Sequence, residues 1–186
     1  IGVVTRSDLL NILMNDPPIP DALYDPKAGS NYVRQKDLSP LMEELLPDRI
    51  LELLGQLGEV ADDLQYNAYV VGGFVRDLLL RRTNLDIDVV VEGDGIAFAQ
   101  HLIKRFGGRV REHVKFGTAV AILPDGVKID VATARLEYYE SPAALPIVEL
   151  SSLKLDLYRR DFTINTLAVK INKNHFGTLI DYFGAQ

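Results

Sequence analysis

The segment Val70-Val-Gly-Gly-Phe-Val-Arg-Asp77, followed nine residues later by Asp86-Ile-Asp88-Val-Val-Val91, restricts the fold more than any other part of the chain. A β-branched run ends at paired glycines, an apolar helical stretch follows, and a second β-branched run then opens with acids at alternate positions. Strand, turn, helix and strand in so short a span call for a sheet with helices packed on it.

The flanking sequence extends that pattern. Leu41, Leu45, Leu46, Ile50, Leu53, Leu54, Leu57, Val60, Ala61 and Leu64 recur at helical spacing, with Pro47-Asp48 restarting the run, so two consecutive amphipathic helices are expected. Strands are expected at 68–71, 86–91, 109–113, 118–123 and 127–131, the last two joined by a Pro124-Asp125-Gly126 turn. Helices are expected at 74–80, 96–106, 153–158 and 163–168, with a hairpin about Asn172-Lys-Asn174. The predicted fold class is α/β (α+β), a mixed β-sheet packed by helices.

Upstream, Ile1 to Met14 reads as a short β-branched strand and a helix capped by Ser7 or Asp8, and residues 1–16 resemble the closing strand and helix of a CBS domain. The Pro-rich stretch from Asp16 begins a linker over 17–38. Residues 39–65 form a helical lead-in, and 66–186 the main domain. With Ile1 in place of Met and no helix stop before Gln186, the chain reads as a fragment of a longer protein.

Composition narrows the function classes. A net charge of −6 argues against a surface that grips nucleic acid everywhere, because phosphate neutralisation supplies most non-specific affinity. Basic clusters remain at Arg76/Arg81/Arg82, at Lys104/Arg105/Arg109/Arg111/Lys115 and at Arg159/Arg160, where a solvated face is the plain alternative. Zero cysteines exclude disulfides and thiolate zinc sites and suit a reducing cytosol. No apolar run is long enough to span a bilayer, so no membrane partner is expected.

The chemistry concentrates around the paired glycines. Period-two alternation puts Asp86 and Asp88 on one strand face, and two neighbouring carboxylates repel unless a cation compensates; hard oxygen ligands favour Mg²⁺ or Mn²⁺. Taken alone, an Asp-x-Asp is more often a solvated strand face. Gly72 and Gly73 at a helix start let backbone N–H groups approach a phosphate, and Arg76, one turn on, can contact it. A lone Gly-Gly is more often a tight turn, but the turn, the arginine and the aspartate pair together make a constellation. His101, His113 and His175 have no nucleophile at useful spacing and read as surface residues, and Ser151-Ser152 reads as a helix cap.

With these residues in place, the chain resembles the polymerase-β nucleotidyltransferase superfamily, and within it the bacterial-type CCA-adding, A-adding and poly(A) polymerases. Gly72 to Asp77 matches the family's Gly-Gly-x-Val-Arg-Asp motif, Asp86 and Asp88 its Asp-x-Asp, and Arg159-Arg160-Asp161, continuing Phe162-Thr-Ile-Asn165, its Arg-Arg-Asp. The likeness runs from about Leu45 to the end. It implies that Gly72, Gly73, Arg76 and Asp77 belong to the nucleotide site, and that Arg160 and Asp161 contact the sugar and phosphates. For Arg159 two roles stay open, nucleotide contact or pairing with nearby acids. Asp130 is the candidate third catalytic carboxylate, although beside Lys128 it also reads as an ordinary polar strand residue.

The resemblance implies template-independent transfer of nucleotides from an NTP, ATP and/or CTP, to the 3′ end of RNA, tRNA above all. Asp86 and Asp88 would hold two divalent ions for in-line displacement of pyrophosphate. Relatives choose the base with a helix that would lie beyond Gln186, so this chain alone is expected to be weakly active or inactive. The CBS-like remnant tilts the reading toward A-adding members. The alternatives are a poly(A) polymerase acting on other RNA and a catalytically incomplete nucleotide-binding head. A small-molecule nucleotidyltransferase is disfavoured by the Arg-Arg-Asp-Phe-Thr run.

Overall fold

The computed structural model describes residues 34–138, 147–150 and 152–185; the CBS-like remnant at 1–16 and most of the expected linker lie outside the described residues. An eight-stranded sheet runs in the order β1-β10-β9-β2-β3-β6-β5-β4. Its strands are β1 (Arg34–Asp37), β2 (Asn67–Val71), β3 (Ile87–Glu92), β4 (Arg109–His113), β5 (Thr118–Ile122), β6 (Lys128–Thr133), β9 (Leu167–Lys170) and β10 (Thr178–Asp181). Among the described residues only β3 and β6 pair in parallel; every other ladder is antiparallel. A separate hairpin joins β7 (Arg135–Tyr138) to β8 (Ile147–Leu150).

The helices are α1 (Ser39–Leu45), α2 (Asp48–Asp63), α3 (Gly73–Leu79), α4 (Gly95–Phe106) and α5 (Leu153–Tyr158). Pro47 separates α1 from α2 as expected, forcing Leu46 into extended backbone at φ −89°, ψ 140°. Asp94 starts α4 by accepting hydrogen bonds from the Ile96 and Ala97 amides at 2.9 and 3.1 Å. Ser152 stands before α5 in extended backbone but makes no side-chain cap bond. Glu92 Oε1 accepts the Leu153 N–H at 2.8 Å instead.

Helices α1 to α4 cover one face of the sheet. Leu53, Leu54, Leu57 and Val60 of α2, Phe74 and Val75 of α3 and Phe98 and Leu102 of α4 are all fully buried there, against Val70, Val89 and Val131. Each such side chain contributes roughly 1.5–3 kcal/mol on burial. The other face is covered in part, where Leu153 and Leu157 of α5 pack on Tyr69, Val71, Val90 and Ala168. On the remainder of that second face Asp88, Arg111 and Asp130 are exposed, and no helix among the described residues covers them.

Two expectations change. Residues 163–168, read as a helix, form a single 3-10 turn (Thr163–Asn165) and then enter β9. A short apolar run has no helical commitment of its own, and the slot between β2 and β10 claims it as strand. The last residues of the expected linker, Arg34–Asp37, pair with β10 as the sheet's edge strand. No helix among the described residues is long and apolar enough to cross a membrane.

Candidate active site

Alternation along β3 decides where its acids go. Ile87, Val89 and Val91 turn into the helix-covered core, so Asp88 emerges on the open face. The parallel register sets Asp88 beside Asp130 of β6. The two carboxylates line one cavity of about 410 Å³ with Arg160, His113, Val120 and Ala132. Burial pushes the Asp88 carboxyl above the usual carboxylate range, the Asp130 and Asp86 charges add to the rise, and Arg160 opposes it.

Asp86 stands exposed just before β3, its amide held by Asn84 Oδ1 at 2.9 Å. It acts on Asp88 through its charge rather than by lining the cavity. Among the described residues no three His, Cys, Asp or Glu side chains converge as a preformed metal cage.

Gly72 brings the paired-glycine turn to the same place. Its φ of +69° suits glycine, and a Cβ there would stand 3.2 Å from Arg160 Nη1 and 3.9 Å from Asp88 Oδ2. Arg160 in turn is held by Asp156 at 3.3 Å, the same buried carboxylate that takes Arg159 at 3.1 Å. The Arg160 Nε is buried without a hydrogen-bond partner among the described residues. Asp156 was not singled out from sequence; its signal was the spacing to Arg159 and Arg160 of three and four residues along a helix.

Not every sequence-selected residue reaches the cavity. Arg76 and Asp77 face each other in a fork of two 2.8 Å bonds, with Asn165 on the arginine at 3.3 Å and Asn84 on the aspartate at 2.8 Å. Hydrogen bonds from Arg76 and then Asn84 hold the Asp77 carboxyl down at about 2. The pair ties α3 to the loop before Asp86 and to the turn after Asp161. Gly73 lies against that knot, a Cβ on it standing 3.4 Å from Asn84 Nδ2 and 3.6 Å from Arg76 Nη2. Asp161 is exposed. His113, read as a surface residue, is exposed and also lines the cavity.

A second, larger groove of about 670 Å³ lies on the helix side between α2 and α4. Its central cation, Arg105, is already paired with Glu59 at 2.7 Å and Asp63 at 2.9 Å. The carboxylate cavity instead brings Asp88 and Asp130 together with Arg160.

This arrangement has counterparts among known proteins. Residues 68–186 match the poly(A) polymerase head domain. The chain is 56% identical over its whole length to the A-adding tRNA nucleotidyltransferase of Geobacter sulfurreducens, covering 21% of that protein. It is 41% identical over 147 residues to the A-adding tRNA nucleotidyltransferase of Halalkalibacterium halodurans, covering 79% of this chain and 34% of that one. A solved apo structure of a CCA-adding enzyme superposes with a TM-score of 0.77 at 54% identity, over 81% of this chain and 36% of the other. The chain thus spans well under half of the curated relatives' length, 21% and 34% in these two cases.

Proposed function

Because this chain belongs to the poly(A) polymerase head-domain family, we propose that it is the catalytic head of an RNA nucleotidyltransferase that transfers AMP from ATP to the 3′ end of tRNA. The observation that carries this reading is the parallel register of Asp88 with Asp130 in one cavity with Arg160. That cavity gathers negative charge at a point where a phosphoryl group needs cations, and it places a guanidinium opposite. The A-adding assignment is supported by the two A-adding relatives. A CCA-adding activity is the second reading, favoured by the solved CCA-adding neighbour.

The donor set fits a divalent ion of the Mg²⁺ type. Two facing carboxylates, one raised by burial and by its neighbours' charge, are short of positive charge. Mg²⁺ takes one or two carboxylates and completes its shell with water and substrate phosphates, so a preformed cage of three acids is not required. Asp88 and Asp130, with Asp86 beside them, would hold it. When bound it supplies charge that favours the ionised 3′-hydroxyl and offsets the triphosphate.

The protein's own groups do the rest by position. Arg160, anchored by Asp156 and with its Nε unpartnered, faces the triphosphate, and the Gly72 backbone leaves room beside it. The 3′-oxygen bonds to the α-phosphorus as the bridging bond breaks, and pyrophosphate leaves while the hydroxyl proton passes to solvent. Orientation and charge neutralisation account for most of the rate in such a reaction. This reading assigns the work to the cytoplasm.

The test uses the full-length protein, Mg²⁺ and two tRNAs, one ending in CC and one lacking it, with each NTP offered singly. Incorporation of one AMP is expected. Incorporation of CMP on a tRNA lacking CC would replace the A-adding reading by the CCA-adding one, and no incorporation of any nucleotide would refute the proposal.

A further inference from the structure

The basic cluster running from Lys104 to Lys115 in sequence is divided by the fold. Arg105, on α4, faces the helix side and is consumed by Glu59 and Asp63. Arg109 and Arg111 belong to β4, where Val110 packs toward the main core and Glu112 accepts a hydrogen bond from Gln100 of α4 at 2.7 Å. Alternation therefore sends Arg109, Arg111 and His113 to the opposite, open face, and His113 indeed lines the carboxylate cavity.

Cross-strand register places these cations in line with the acids. Arg111 is opposite Val120, Val120 opposite Asp130, and Asp130 opposite Asp88. Arg109 is opposite Ile122, and Ile122 opposite Lys128. Arg111 is two strand spacings from Asp130, roughly 10 Å. Among the described residues Arg49, Arg76, Arg81, Arg105, Arg159 and Arg160 are each paired with a carboxylate. Arg109, Arg111 and Lys128 form no ion pair among the described residues, although the chain carries a net charge of −6.

Geometry also says which side of the acids this face serves. Gly72, at the end of β2, and Arg160 flank Asp88 from the β2 side, whereas β5 and β4 extend beyond Asp130 on the other. In-line displacement keeps attacking and leaving oxygens on opposite sides of the phosphorus. With the triphosphate held on the Arg160 side, the nucleophile enters from the β4 side.

We propose that the open face of β4, with Arg109 and Arg111 beside Lys128, is the track on which the single-stranded 3′ end of the RNA lies. Its backbone phosphates rest against the two guanidinium groups, and its terminal hydroxyl is delivered to Asp88 and Asp130. This rests on the nucleotidyltransferase reading of the cavity.

The experiment compares the full-length protein with an Arg109→Ala/Arg111→Ala variant. Anisotropy of a labelled single-stranded RNA in EDTA reads binding without turnover, and steady-state extension of tRNA with ATP and Mg²⁺ reads catalysis. Losing two phosphate contacts should weaken RNA binding about tenfold or more and make its log–log salt dependence shallower by about 1.4. The KM for tRNA should rise in step while the KM for ATP and the kcat stay within about twofold of wild type. Arg109→Lys/Arg111→Lys should recover most of the binding, and Lys104→Ala, on the helix side, should change nothing. Unchanged RNA binding and salt slope would overturn the track, as would a rise confined to the KM for ATP. If the wild type extends no RNA, the function proposed above fails, and the anisotropy still decides the track.

Discussion

At the residue scale, Asp77 joins three parts of the site. Its two oxygens take Arg76 in a fork and accept Asn84, whose own carbonyl oxygen holds the Asp86 amide. A carboxyl held at about 2 in the folded chain and near 3.9 when unfolded stabilises the fold wherever it is ionised. That contribution is complete above pH 4 and is lost as pH falls through about 2, because the unfolded state then binds the proton first. Thermal melts from pH 7 down to pH 2 should therefore show wild type losing more stability below pH 4 than Asp77→Asn, the two curves converging at the acid end. Parallel curves would mean that the fork contributes nothing to the fold.

At the element scale, the turn between β2 and α3 is where backbone conformation and site meet. Gly72→Ala forces a side chain into left-handed backbone, costing about 1–2 kcal/mol, and its Cβ would crowd Arg160 Nη1 at 3.2 Å. The expected result is a modest drop in melting temperature with a several-fold rise in the KM for ATP and little change in that for tRNA. Equal rises in both would point to general damage rather than to displacement of the arginine.

Elements with strong internal patterns were legible from sequence. Helices α2 and α4 and strands β3 and β5 follow from apolar patterning, and Asp-x-Asp was conspicuous because acids interrupt an apolar strand. What stayed hidden depends on pairing at long range. Arg34–Asp37 has no apolar alternation and is strand only through its backbone bonds to β10, and residues 167–170 are strand because a slot in the sheet receives them. Asp130 had a catalytic reading only by resemblance, since nothing local to Lys128-Ile-Asp-Val states that β6 lies parallel to β3. The separation of Arg105 from Arg109 and Arg111 onto opposite faces likewise needs the sheet.

At the scale of the whole molecule, the sheet divides labour between its faces. One is closed by α1 to α4 and supplies the core, and its charged surface residues largely neutralise one another. The other is covered in part by α5, and the rest of it carries acids on β3 and β6, cations on β4, and Arg160, paired with Asp156, reaching in from beyond α5. Although the chain has a net charge of −6, Arg109 and Arg111 are exposed on the face that carries the Asp88–Asp130 cavity, where the proposed RNA track would pass.

The central claim is that the Asp88–Asp130 pair is the catalytic centre. Single-turnover addition of AMP to tRNA ending in CC, by full-length wild type and by the Asp88→Asn and Asp130→Asn variants, tests it most directly. Removing either carboxylate forfeits several kcal/mol of charge stabilisation, roughly a thousandfold in rate. RNA affinity in EDTA should hold, and Asp88→Asn should melt no lower than wild type without metal, because a repelled and partly buried charge has gone. AMP addition by Asp88→Asn within about tenfold of the wild-type rate would contradict the account.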